Sequence, residues 1–197
     1  MSNKLVIGVT GTLCCGKGVV SQLLKAKGCD TDTFSSIIKD SLKAHGIEIN
    51  RKNLQDEGNR LRKEFGGKVL AERLLLKHKD SSKPLVIDGI RNVGEIDYLK
   101  KHSHFFLIAV DAPIELRYSF TKKRGGEKDM IDYDEFVLLD QRDRGMNEPA
   151  NGQQVGVCLT YADYLLYNDE IKDKIEDSKL YKEILEIYDE ILEKSRH

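Results

Sequence analysis

Residues 11–17 read Gly-Thr-Leu-Cys-Cys-Gly-Lys, a G-x-x-x-x-G-K pattern between the apolar run at residues 4–10 and an amphipathic segment. Glycines let the backbone turn tightly and point its N–H groups inward, and the start of a following helix adds the positive end of its dipole. Lys17 supplies a mobile positive charge that suits the β- and γ-phosphates of a nucleotide. The stretch therefore predicts a buried strand, a phosphate-binding loop and a helix. The alternative is an ordinary strand-to-helix connection with a surface lysine.

Short apolar runs and amphipathic segments alternate along the rest of the chain. Three further apolar strands are predicted, at residues 84–88, 105–110 and 162–167, and a short extended piece at residues 29–33 supplies the second strand. Strands that do not alternate in polarity and are separated by helices are typical of a parallel sheet covered on both faces. We therefore predict an α/β protein with a three-layer P-loop NTPase fold. It has a five-stranded parallel sheet, helices on both faces and a helical lid, in a single domain over residues 1–197.

The composition excludes several classes of protein. The 197 residues carry a formal net charge of −1, which gives no general attraction to nucleic acid or anionic lipid. No apolar run approaches the roughly 20 residues that span a bilayer. The four cysteines fit no zinc-binding spacing, and the adjacent Cys14 and Cys15 suit a structural disulfide poorly. We expect a cytoplasmic monomer or homodimer that binds small-molecule nucleotides, with no nucleic acid or membrane partner.

The loop departs from the general pattern at the position that binds metal. The usual Ser or Thr after the lysine, whose hydroxyl binds Mg²⁺, is replaced by Gly18, and Val19 follows. Asp88 ends a predicted strand, and the carboxyl edge of a parallel sheet faces the ligand crevice. We predict that Mg²⁺ is held by phosphates, by waters and, through a water, by Asp88. A capping or turn role is the alternative for Asp88. The residues predicted to bind ATP along the loop are Gly11, Thr12, Leu13, Cys14, Cys15, Gly16, Lys17, Gly18 and Val19.

Several segments resemble, in chain order, the P-loop nucleoside and nucleotide kinases. The G-K-G ending of the loop resembles adenylate kinase-type enzymes. The run D-G-I-R at residues 88–91 resembles the D-G-x-P-R run of nucleoside monophosphate kinases, without its proline. The run A-D-Y-L-L-Y-N at residues 162–168 resembles dephospho-coenzyme A kinases, in which the loop after this strand lies near the adenine. The resemblance implies an ATP-dependent phosphotransferase in which Asn168 contacts the base and Arg91 grips the acceptor phosphate.

The resemblance also implies an acceptor-binding helical region at about residues 34–78 and a lid at about residues 120–150. Basic lid residues can neutralise charge on the transferring phosphoryl group and exclude water. The candidate acceptor contacts are Asp32, Ser35, Lys39, Arg60, Arg62 and Arg91. The candidate catalytic residues are Lys17, Asp88, Arg117, Arg124 and Arg142. A salt-bridged surface is the alternative for the lid arginines, because the same stretch is rich in Asp and Glu.

Two classes of acceptor remain open. A monophosphate is already a nucleophilic dianion at neutral pH, so it needs arginines but no general base. A hydroxyl acceptor, as in dephospho-coenzyme A, is helped by a carboxylate, for which Asp30 or Asp32 is the candidate. Arg91 with Arg60 or Arg62 favours a nucleoside monophosphate. A third possibility is a non-catalytic, nucleotide-binding regulatory protein, because the loop lacks the usual metal-binding hydroxyl.

Overall fold

The structure is a computed structural model that describes residues 4–124, 132–170 and 174–196. Its strands are β1 (Leu5–Gly11), β2 (Asp30–Thr33), β3 (Leu85–Asp88), β4 (His104–Asp111) and β5 (Tyr164–Tyr167). The α-helices of the described ranges are α1 (Lys17–Ala26), α2 (Phe34–Ala44), α3 (Arg51–Phe65), α4 (Val69–Lys77), α5 (Val93–His102), α6 (Ile114–Arg124), α7 (Tyr133–Arg144), α8 (Val155–Thr160) and α9 (Lys179–Lys194).

The strands form one sheet in the order β2-β3-β1-β4-β5, and every pair is parallel. The central strand β1 pairs with β3 on one side, with Ile7 opposite Val86, and with β4 on the other, with Gly8 opposite Leu107. The order places the loop after β1 at the middle of the carboxyl edge of the sheet, where ligands bind in open α/β sheets. The predicted five-stranded parallel sheet is confirmed.

Apolar side chains cover both faces of the sheet because successive residues of a strand point in opposite directions. Val6 packs into a cluster with residues of α2, α3, α4, α5 and α8, whereas Ile7 packs with residues of α1 and α9 on the other face. Both side chains are fully buried. A strand that is buried on both faces, such as β1, needs no polar face, and this explains its continuous apolar sequence.

One α-helix of the structure departs from the sequence-based expectation. Helix α8 was not predicted; it has only six residues and no side-chain cap at its start, but Val155 and Cys158 are buried. A helix this short is stabilised by tertiary packing, so its sequence carries little signal. The region predicted as a lid contains the end of α6 and all of α7, and residues 125–131 lie outside the described ranges.

Candidate active site

The loop between β1 and α1 has the backbone geometry that its glycines predicted. Gly11 has φ +150°, and a Cβ there would lie 2.2 Å from the carbonyl oxygen of Val110. Gly16 has φ +107°, and a Cβ there would lie 2.9 Å from Nδ2 of Asn168. Both positions combine a conformation that favours glycine with a close neighbour, so each requires glycine.

Lys17 begins α1 and its ammonium group lies against the loop. Its Nζ donates to the carbonyl oxygen of Gly11 at 2.7 Å and to that of Thr12 at 2.6 Å. Neutral carbonyl oxygens are weaker partners for an ammonium group than phosphate oxygens are. The side chain is therefore held where a stronger anionic partner can take over its hydrogen bonds.

Residues at the carboxyl ends of β4 and β5 form hydrogen bonds with the phosphate loop. Nδ2 of Asn168, directly after β5, donates to the carbonyl oxygen of Cys15 at 3.1 Å. The hydroxyl of Thr12 donates to Oδ1 of Asp111, at the end of β4, at 2.6 Å. Asn168 is 7% exposed. Its amide therefore supports the loop backbone, and its contact with an adenine base stays a prediction.

A cavity of about 740 Å³ lies in front of the loop. The predicted site residues that line it are Leu13, Cys14, Cys15, Gly16, Lys17, Gly18, Val19, Ser35, Asp88, Arg91 and Asn168. Residues outside the predicted site set complete the lining: Gln22, Leu54, Gln55, Phe120, Lys123, Asp143, Glu170, Ile175 and Ser178. The structure thus brings the phosphate loop, the end of β3 and part of the predicted acceptor region to one cavity.

Asp88 is a half-buried residue at the end of β3, and its Oδ1 is buried. Desolvation raises the pKa of its carboxyl group above the usual value, against the opposing charges of Lys17 and Arg91. Its Oδ1 has no hydrogen-bond partner among the residues that the structure describes. An unpartnered carboxylate oxygen beside the phosphate loop fits the predicted water-mediated contact with Mg²⁺. The described ranges hold no cluster of three or more His, Cys, Asp or Glu residues that could bind a metal ion.

Asp143 of α7 is a second buried carboxylate in the cavity, and the sequence reasoning missed it. It is 2% exposed, its Oδ1 lies 3.3 Å from Nη1 of Arg91, and its Oδ2 has no hydrogen-bond partner within the described ranges. The spacing of residues along α7 could have indicated this position. Phe136, Asp140 and Asp143 are all buried and recur at helical intervals, which places the two acids on the inward face of α7.

Arg117, which the sequence analysis predicted to be catalytic, does not line the cavity. Its guanidinium is 1% exposed and makes a bidentate pair with Asp140 of α7, at 2.6 Å and 3.0 Å. It also donates to the carbonyl oxygens of Leu13 and Ala112. The side chain therefore joins α6, α7 and the phosphate loop, because a buried guanidinium needs a carboxylate partner.

Arg142 connects α7 to the acceptor-side helix α3 and lies outside the cavity lining. Its guanidinium donates to Glu148 at 2.7 Å, to Gln55 at 3.1 Å and to Asp56 at 2.8 Å. This contact holds the lid region against the predicted acceptor region. The side chain of Arg124 lies outside the described part of the structure, so its predicted catalytic role stays a prediction.

The two arginines of α3 point in different directions. Arg60 is 44% exposed and pairs with Glu57 and Glu64 of its own helix, away from the cavity. Arg62 is 2% exposed, and its Nε donates to Glu95 of α5 at 2.8 Å. Of the pair, Arg62 alone borders a small second cavity next to the first, which Ser35 and Arg91 also line. The suggestion that Arg60 contacts an acceptor therefore finds no support in its placement.

The acids and the lysine near β2 and α2 lie outside both cavities. Burial alone would raise the pKa of Asp32, but hydrogen bonds from Lys77 and Ser36 hold it well below its usual range, which makes it a poor general base. Asp30 begins β2 and pairs with Leu85, at the edge of the sheet opposite the loop, so it cannot act as the base. Lys39 is half-buried on α2 and lines neither cavity.

Comparison with known proteins identifies the family. A family model described as an AAA domain matches residues 7–148. A UPF0200 protein from Sulfurisphaera tokodaii is 32% identical over 189 residues, covering 94% of this chain and 100% of the relative. The chain belongs to the UPF0200 family. A further UPF0200 member, from Methanothermobacter thermautotrophicus, is 32% identical over 85% of this chain and 83% of its own length.

Solved structures share the fold of this UPF0200 protein at low sequence identity. TT1252 from Thermus thermophilus superposes with a TM-score of 0.63 at 17% identity, covering 95% of this chain and 97% of that one. A shikimate kinase from Bacteroides thetaiotaomicron superposes with a TM-score of 0.53 at 13% identity, covering 96% of this chain and 98% of the kinase. The P-loop kinase-like fold is confirmed, and the comparisons do not distinguish a nucleoside monophosphate kinase from other kinases of this fold.

The UPF0200 site combines the parts that phosphoryl transfer requires. Donors of the loop and Lys17 can bind the phosphates of a nucleotide, and Asp88 offers an oxygen toward a hydrated cation. Ser35, Gln55, Arg91 and Asp143 form a polar wall on the side of α2, α3 and α7. No helix within the described ranges is long and apolar enough to cross a membrane.

Proposed function

We propose that this UPF0200 protein binds ATP at the phosphate loop and transfers the γ-phosphoryl group to a small acceptor in the same cavity. The observation that carries the proposal is that Lys17 and the unpartnered oxygen of Asp88 line one cavity of about 740 Å³. In-line transfer needs positive charge at the β- and γ-phosphates and a fixed position for the metal. These two side chains supply both requirements at the carboxyl edge of the sheet.

Mg²⁺ bound there would neutralise charge on the nucleotide phosphates. This chain's own contribution is to position the phosphates and to keep the loop rigid. Asn168 and Asp111 fix the loop from β5 and β4, so its N–H groups need little reorganisation when phosphates bind. On the nucleotide side, Val19 and Ile175 offer apolar surface to a base.

The acceptor end of the cavity is compatible with two classes of substrate. A nucleoside monophosphate, favoured by the sequence, would be gripped by Arg91, which lines the cavity. Arg91 is already paired with Asp143, however, and Arg62 is paired with Glu95. A hydroxyl-bearing acceptor is favoured by the unpartnered oxygens of Asp88 and Asp143. Structural neighbours include a shikimate kinase and a sugar kinase, which are relevant as examples of the same fold.

A pair of lysine variants tests the proposed reaction. Lys17→Met removes the charge at the phosphates, and Lys25→Met is the matched control, because Lys25 is exposed on the same helix. We expect Lys17→Met to lower the rate of γ-phosphoryl transfer by about 10²–10³-fold and Lys25→Met to leave it unchanged. Rates are measured with γ-labelled ATP and a panel of nucleosides, monophosphates and sugars. ATP binding without transfer to any acceptor would instead favour a regulatory nucleotide-binding protein.

A further inference from the structure

Asp143 is a buried acid that the transfer chemistry at the loop does not use. It is 2% exposed and lines the cavity, yet Oδ2 has no hydrogen-bond partner among the residues described. A buried carboxylate oxygen without a donor costs free energy, so proteins normally satisfy it with a protein group, a water or a ligand. The unpartnered oxygen therefore marks a place where a hydrogen-bond donor binds.

The surroundings of Asp143 hold the carboxylate in a fixed position. Its Oδ1 lies 3.3 Å from Nη1 of Arg91, which also donates to Oε1 of the buried Gln153 at 3.0 Å. The backbone N–H of Arg91 donates to Oε2 of Glu95 at 2.8 Å. Arg91 is thus anchored at both its backbone and its side chain, and one oxygen of Asp143 is left for a ligand.

The charge balance at this end of the cavity disfavours a phosphate as the acceptor group. Arg91 is ion-paired with Asp143, and Asp88 adds a second carboxyl group to the lining of the same cavity. The other cations of that lining, Lys17 and Lys123, lie at the phosphate loop and at the end of α6. Arg62 and Arg142 are engaged by Glu95, Glu148 and Asp56. A dianionic acceptor bound next to Asp143 would lie beside carboxylates, and like charges at such short range repel each other. A neutral ligand with hydroxyl donors avoids this cost.

We propose that the acceptor is a neutral, hydroxyl-bearing molecule and that Asp143 is its binding residue, with Oδ2 accepting a hydrogen bond from an acceptor hydroxyl. This inference rests on the proposed phosphotransferase function and names its substrate class. In the transfer step the oxygen of the reacting hydroxyl bonds to the γ-phosphorus. The bond to the β–γ bridging oxygen breaks, its electron pair leaves with ADP, and the hydroxyl proton passes to water.

The first test is the identity of the phosphorylated product. Wild-type protein with ATP and Mg²⁺ is incubated separately with ribose, glucose, adenosine and cytidine, and with AMP and CMP, and products are identified by ³¹P NMR. We expect a new phosphate monoester from a neutral compound. Formation of ADP from AMP, or CDP from CMP, without any monoester would overturn this inference and leave the phosphotransferase intact. Transfer to no compound at all, with ATP bound, would overturn both.

The second test assigns the role of Asp143 with matched variants. Asp143→Asn keeps the shape and removes the charge, and Asp134→Asn is the control, because Asp134 is exposed on the same helix. We expect Asp143→Asn to raise the KM for the neutral acceptor by about 10- to 100-fold, the worth of a hydrogen bond to a charged group, with the KM for ATP nearly unchanged. Asp134→Asn should change neither.

Two further outcomes separate a binding role from other roles. Asp143→Glu retains the charge but displaces the carboxylate by one methylene group, so it should also raise the acceptor KM and leave the KM for ATP unchanged, even where Asp143→Asn folds poorly. A variant whose Mg²⁺ requirement changes while its acceptor KM does not would assign Asp143 to the metal and contradict the proposal.

Discussion

Replacing Asp88 with asparagine removes a buried negative charge and keeps the shape of the side chain. Oδ1 of Asp88 has no hydrogen-bond partner within the described part of the chain, and burial costs an unpaired carboxylate about 1–3 kcal/mol more than it costs a neutral amide of the same shape. Lys17 and Arg91 offset part of that cost by their charge. We therefore expect Asp88→Asn to stabilise the protein, raising the free energy of unfolding at pH 7 by about 1–2 kcal/mol. This value lies in the lower part of the range of about 1–3 kcal/mol because the two cations already offset part of the cost. The same variant should lose phosphoryl transfer.

The pH dependence of this gain has a definite sign. Because the pKa of Asp88 is raised in the folded protein, the folded state binds its proton more tightly than the unfolded state. The wild-type penalty is therefore fully present above the folded pKa, and it shrinks as the pH falls toward the unfolded value of about 3.9. The stability difference between Asp88→Asn and wild type should shrink in the same direction.

Urea denaturation at a series of pH values measures this difference. Asp97→Asn is the control, because Asp97 is exposed on α5 and should change stability by less than about 0.5 kcal/mol. An Asp88→Asn protein that is less stable than wild type at pH 7 would refute the reasoning. So would a stability difference that stays constant down to the unfolded pKa, since it would place the carboxyl group in an ordinary environment.

The other predictions concern the supports of the site. Arg117→Met should lower the free energy of unfolding by about 3–5 kcal/mol in urea denaturation, because Asp140 is left buried without its main partner; a loss below 1 kcal/mol would contradict this. Asn168→Ala removes the hydrogen bond to Cys15, worth about 1 kcal/mol, and should weaken ATP binding about fivefold in titration calorimetry; unchanged affinity would show that the loop does not need this brace. Arg142→Met should change global stability by less than about 1 kcal/mol, because its ion pairs are partly exposed, but should raise the acceptor KM; an unchanged KM would disconnect this contact from the acceptor site.

Local sequence determined the parts of the site that were predictable. The glycines at 11 and 16 and the apolar runs on either side fix the loop and the central strands through backbone conformation and burial. Asp88 was predictable for the same reason, since it ends an apolar strand at the ligand edge of a parallel sheet.

The positions of the remaining charged residues of the site depend on ion pairs between different helices. Arg117 and Arg142 were assigned to catalysis from their place in a basic stretch, but each meets carboxylates contributed by another helix. Such partners are distant in sequence, so periodicity does not reveal them. Asp143 shows the reverse case, because an acid in the charged lid stretch to which no role was assigned is buried in the cavity.

The most direct measurement of the central claim is ³¹P NMR of ATP and Mg²⁺ with wild-type protein, Lys17→Met and Lys25→Met, in the presence of neutral hydroxyl compounds. Wild type and Lys25→Met should convert the γ-phosphate signal of ATP into that of a phosphate monoester, while Lys17→Met leaves ATP intact. Equal conversion by Lys17→Met and wild type would contradict the account, because it would place the reaction away from the phosphate loop.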